Sequence, residues 1–196
     1  MKKLLATILA ILSIACIFCG CGSSEESDLS QTETDTYGES GSSENESQNT
    51  VSYNLPTIDE LIDSFETNFT LSNIKKEASK AMFEVSTGET IFGFTNASDK
   101  VETFQVFVSG SSVDSLLDAD YHFYPLCHFL TNIKGETVTV DDIVEILLSV
   151  EATTKSGSVS NSATWKVKKE GIQYELVLTE YSTYNYCTMD IYARIQ

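Results

Sequence analysis

From Val51 onward the apolar positions follow two rhythms. Period-2 alternation runs through Ala81, Phe83 and Val85, then Phe92 and Phe94, then Phe104, Val106 and Val108. It returns at Ala163, Trp165 and Val167, at Tyr174 and Leu176, and at Cys187, Met189 and Ile191. Alternation of this kind is the mark of strands with one face on a core. Two other stretches read as helix starts. "TIDELID" (57–63) and "TVDDIVE" (139–145) match position by position in chemical type. Thr57 and Thr139 are N-cap candidates, and Glu60 and Asp142 stand three residues later, as in a capping box. Asp59 and Asp141 suit the positive end of the helix dipole, which accounts for their charge without catalysis.

The two helix starts are 82 residues apart, and the same offset carries "AMFEVS" (81–86) onto "ATWKVK" (163–168). It carries Phe92 and Phe94 onto Tyr174 and Leu176, and the turn "STGE" (86–89) onto "KKEG" (168–171). An offset of 83 then carries Phe104, Val106 and Val108 onto Cys187, Met189 and Ile191. Blocks recurring in order at a near-constant spacing predict a duplication. The expected fold is α+β: two tandem helix-plus-antiparallel-sheet units, each α-β-β-β, over 55–110 and 137–196. A further strand is expected after each helix, near 69–78 and 150–158. A helical connector, 111–136, joins the units. Within it "DYHFYPLCHFLTNI" is apolar at helical spacing, with Pro125 near a helix start or a kink, and Gly135 ends the pattern. Helices packed on one face of two sheets, or of one continuous sheet, is the layer solution this order favours.

The element order resembles the tandem modules of the β-lactamase inhibitory protein class and, more loosely, PepSY-type modules. That resemblance covers order alone, over 56–196, and implies an extracytoplasmic binding or inhibitory unit. It carries over no binding residue.

The start of the chain has a different character. Lys2 and Lys3 precede an almost wholly apolar run, Leu4 to Phe18. That is the order of a secretory signal peptide, and fifteen residues fall short of the ~20 that span a bilayer. "FCGC" (18–21), followed by "GSSEES", resembles the lipobox of bacterial lipoproteins of Gram-positive type. The resemblance implies cleavage between Gly20 and Cys21, with a lipid on the Cys21 thiol. Phe18 departs from the commoner leucine. A second frame ends at Cys16 but places Ser13 where a bulky apolar residue belongs. The expected organisation is a signal peptide over 1–20, a lipidated cysteine and acidic tether over 21–50, and a globular domain over 51–196. A zinc site at Cys16, Cys19 and Cys21 is disfavoured, because such sites use four ligands in separated pairs.

Charge narrows the partners. The formal net charge is −17, and residues 22–50 hold eight acids and no lysine or arginine. A segment so polar cannot bury enough surface to offset its ordering entropy, so it reads as a disordered spacer. An acidic chain repels phosphate backbones, which argues against nucleic acid. The expected partners are the membrane, through the lipid, and another envelope protein or peptide. The expected location is the outer face of the bacterial cytoplasmic membrane.

No G-x-S-x-G elbow, glycine-rich phosphate loop or H-E-x-x-H motif occurs, so no catalytic residue, metal site or cofactor is assigned. His122 and His128 are about 240° apart on a helix and do not share a face. Asp118 and His122 stand at i, i+4 and are a candidate local pair. "DADYH" (118–122) lacks the glycine and distal glutamate of a calcium loop. Cys127 and Cys187 both read as buried, either as free thiols or as a disulfide in an oxidising compartment. Tyr184, Tyr186 and Tyr192 alternate on the face of the last strand opposite Cys187, and form the candidate binding face. The expected role is a non-catalytic binding module. The alternative is a small extracytoplasmic hydrolase or thiol-redox enzyme using Cys127 or a carboxylate pair.

Overall fold

The computed structural model describes residues 52–196. The signal, lipidation and tether assignments at Cys16, Gly20, Cys21 and 22–50 lie outside the described residues.

Helix α1 (Ile58–Glu66) starts at a complete capping box. Thr57 Oγ1 accepts from the Glu60 N–H, and a Glu60 carboxylate oxygen accepts from the Thr57 N–H at 2.7 Å. Four strands follow: β1 (Leu71–Glu77), β2 (Lys80–Val85), β3 (Thr90–Thr95) and β4 (Val101–Gly110). The connector folds as α2 (Val113–Leu117), a 3₁₀ turn (Asp120–Phe123) and α3 (Tyr124–Lys134). Pro125 sits in the first turn of α3, where its missing N–H leaves no bond unmade. Gly135 ends the helix at φ 71°, a left-handed position glycine adopts without strain. Helix α4 (Val140–Leu148) opens on a second complete capping box, Thr139 with Asp142. Then come β5 (Thr153–Ser156), β6 (Ser160–Lys169), β7 (Ile172–Tyr181) and β8 (Tyr186–Ile195).

All eight strands form one antiparallel sheet in the order β1-β2-β3-β4-β8-β7-β6-β5. Both alternatives for the layer are thereby resolved in favour of a continuous sheet. Helices α1 and α4 are each followed by four strands, the expected three and the further one. The last strand before the connector, β4, pairs with the last strand of all, β8, from Thr103 with Arg194 to Gly110 with Cys187.

The helices lie on one face. Phe83, Ile91, Phe104, Val106, Trp165, Leu176, Met189 and Ile191 point to that face and are fully or almost fully buried. Helix α1 packs so closely on β3 that a Cβ on Gly93 would stand 2.8 Å from Leu61 Cδ2. Phe104 stacks on Phe129 of α3 with ring centroids 4.5 Å apart. On the opposite face most side chains are half-buried, and none of the described helices covers them.

The sheet corrects one detail of the 82-residue correspondence. Ala81, Phe83 and their counterparts Ala163 and Trp165 share the helix face. So do Phe104, Val106 and Cys187, Met189. The third pairing does not hold. Tyr174 and Leu176 are buried under the helices, whereas Phe92 and Phe94 alternate with buried Ile91 and lie on the open face. The reason lies in the turns. Gly88 alone takes a positive φ in the first, while Glu170 and Gly171 both do in the second. Phe83 meets Ile91 eight residues on, whereas Trp165 meets Leu176 eleven residues on, so the returning strands differ by an odd number of residues and their faces invert.

Candidate functional site

The open face has a polar centre where β4 meets β8. Gln105 and Tyr192 are cross-strand partners, and Phe107 opposes Asp190. Gln105 Nε2 donates to Asp190 Oδ1 at 2.7 Å and to Tyr192 Oη at 3.0 Å. Burial among these neighbours raises the Asp190 carboxyl above its ordinary range, partly offset by hydrogen bonds from Gln105 and Tyr192. Burial, reinforced by the Asp190 charge, pushes the Tyr192 hydroxyl up to about 12. A carboxyl whose folded pKa is raised favours folding below its unfolded value and loses that contribution as pH rises through the folded value. At neutral pH the Asp190 charge therefore weakens the fold. Asp190→Asn is expected to raise the urea midpoint at pH 7 and to change it little at pH 3. A lower midpoint at pH 7 would show that the charge supports the fold.

The tyrosines divide between two places. Tyr192 is half-buried in the polar centre. Tyr186 opens β8 on the same face and is 41% exposed. Tyr184 is not on the strand: it lies in the four-residue turn before it and is 74% exposed. Asn185, at φ 47°, closes that turn in a left-handed conformation, so β8 begins one residue later. The alternating three-tyrosine face is corrected accordingly. What forms instead is a cleft of about 460 Å³ at the end of β4, β7 and β8, lined by Ser111, Ser112, Glu180, Tyr181, Ser182, Thr183, Asn185, Tyr186 and Cys187. The Tyr181 and Tyr186 rings stand 5.6 Å apart, inclined at 41°.

Cys127 and Cys187 are buried and free, and the candidate disulfide does not form. Their surroundings differ. Cys187 Sγ donates to the Gly110 carbonyl at 3.4 Å. Cys127, on α3, feels the Asp142 carboxylate at the start of α4. Burial first, then that charge, pushes the Cys127 thiol up to about 12. Burial also raises Cys187. Thiolate is the nucleophile in thiol catalysis, so both positions are set against it. Native protein exposed to iodoacetamide at pH 8 is expected to leave both sites unmodified, and urea-unfolded protein to label both. Rapid native alkylation of Cys127, read by peptide mass spectrometry, would contradict this.

The candidate pairing of Asp118 with His122 is also corrected. Asp118 caps the end of α2, and Ala119 leaves the helical region at φ −100°, ψ 91°, so the two residues share no helix. His122 instead reaches Glu89, just before β3, with Nδ1 2.5 Å from the carboxylate. Thr87 donates its hydroxyl to the other carboxylate oxygen. His128 turns elsewhere: its Nε2 lies 3.1 Å from the Ser64 carbonyl, and its ring meets Phe65 edge to face. Burial lowers the His128 pKa, partly offset by that hydrogen bond.

Comparison with protein-family models, curated proteins and solved structures found no match.

Proposed function

We propose that the chain is a lipid-anchored, non-catalytic binding module, held by Cys21 on the outer face of a bacterial cytoplasmic membrane. The anchor rests on sequence order: Lys2 and Lys3, the apolar run, the lipobox-like Phe18–Cys21, then the acidic spacer. One acyl chain holds a protein only reversibly, so a lipoprotein anchor needs more than one. The binding reading is carried by one observation. Among the described residues all the helices cover a single face of the sheet, and none lies on the other face or on the tyrosine-bearing end. The raised thiols count against the thiol-based form of the enzymatic alternative.

We read the helix-plus-strands order on either side of the connector as two tandem units. The matched capping boxes and the shared faces of β2 with β6 and of β4 with β8 support it.

Two experiments test the proposal. Mass spectrometry of the mature protein should find an acylated Cys21 as the first residue. An unmodified start, or a cut elsewhere without acyl mass, would remove the anchor. A photo-crosslinking residue placed at Phe107 or Tyr186 in living cells should give a discrete adduct with an envelope component. No adduct from either position would remove the binding role.

A further inference from the structure

We propose that the cleft at the end of β4, β7 and β8 binds a neutral, hydroxyl-rich saccharide. This rests on the binding-module reading and gives it a ligand class. The cleft's volume falls within the ~300–1,000 Å³ of small-molecule sites. Its lining pairs two kinds of surface. Tyr181 and Tyr186 present aromatic rings inclined to each other. Around them stand short hydroxyl and amide side chains, Ser111, Ser182, Thr183 and Asn185 among them.

A sugar ring has this same division. Its C–H face is apolar and packs on an aromatic face, while its rim hydroxyls both donate and accept. Serine and threonine hydroxyls also do both, and the asparagine amide offers one group of each kind. The Glu180 carboxylate can accept from two neighbouring hydroxyls.

Other ligand classes fit less well. Among the described residues no lysine, arginine or histidine lines the cleft to clamp a phosphate, sulfate or carboxylate. The net charge of −17 further repels anions. A peptide that adds a strand needs an open sheet edge. Here β4, β8 and β7 each have a neighbour on both sides, so their ends offer no edge. A cation would meet a single carboxylate, Glu180.

The test is calorimetric titration of the full chain in detergent micelles with chitotetraose, cellotetraose and maltotetraose. Tetragalacturonate serves as the anionic control. At least one neutral tetrasaccharide should bind, and the anionic one should bind more weakly or not at all. Tyr181→Ala and Tyr186→Ala should each weaken the binding roughly five- to tenfold. Tyr186 is 41% exposed where β8 begins, so its variant keeps the fold. Glu180→Gln should weaken binding less than either tyrosine variant. The saccharide assignment is overturned if no neutral tetrasaccharide binds at millimolar concentration, if the anionic control binds as well, or if both tyrosine variants bind like the parent. Should that happen while crosslinking from Phe107 or Tyr186 still yields an envelope protein or peptide adduct, the ligand class is wrong and the binding module stands. Should crosslinking also fail, both readings fall.

Discussion

His122→Ala is expected to lower the unfolding free energy by about 3–5 kcal/mol, the loss seen when one partner of a buried ionisable pair is removed. Glu89 has no exposed surface and His122 is 5% exposed, so water cannot replace the missing imidazole. Thr87 would keep one carboxylate oxygen bonded. The other would be left buried and unpaired, and an unmade hydrogen bond in such a place is penalised heavily. The contact also ties the β2–β3 hairpin to the connector, so the damage spreads across two elements. Urea denaturation should show the loss as a lower midpoint with an unchanged slope. Replacing both partners, as in Glu89→Leu with His122→Leu, should recover much of it, because an apolar pair of similar volume leaves nothing unsatisfied. A single-variant loss under about 1 kcal/mol would mean the site is hydrated in solution.

Phe65→Ala should cost a similar amount, about 3–5 kcal/mol, by a different route. Phe65 is fully buried on the inner face of α1. Its ring centroid lies 5.2 Å from Phe69, 5.3 Å from Phe83, 5.7 Å from Phe104 and 4.8 Å from the His128 imidazole. It therefore joins α1, strands β2 and β4, and α3 in one aromatic cluster. Truncation removes the transfer energy of the ring and leaves a cavity that close-packed neighbours cannot fill. Phe65→Leu should lose well under half as much. If the alanine variant loses less than about 1.5 kcal/mol, α1 is not held by this cluster.

The parts of this fold that local rules govern could be read from the sequence. Both capping boxes form as Thr57 with Glu60 and Thr139 with Asp142 imply, because capping is settled within four residues. Pro125 and Gly135 bound α3 for the same reason. The core faces of β2, β4, β6 and β8 follow from alternation. What failed depended on chain folded back from far away. Glu89 follows a turn glycine and looks like a solvent residue. It becomes buried only because the connector, 33 positions on, lays His122 over it. The signal available was the connector histidine itself, but the acid one helical turn before it, Asp118, was the wrong partner. Tyr184 was misplaced by a single left-handed residue, Asn185, which shifts the strand start. The phase slip that separates Phe92 from Tyr174 likewise arises at a hairpin, where any odd shift inverts every face that follows.

The pairing of β4 with β8 also sets an order of events during synthesis. Cys187 closes on Gly110 across 77 residues, and Tyr192 on Gln105 across 87. Sequential strands usually lie side by side, and here the centre of the sheet breaks that habit. While the chain emerges, β1 to β4 can associate, but β4 remains a bare edge until β8 arrives to fill the space between it and β7. Joining strands so distant in the chain is slow, and the waiting edge invites aggregation unless a chaperone holds it. The central seam thus leaves the eight-stranded sheet incomplete until β8 has been delivered.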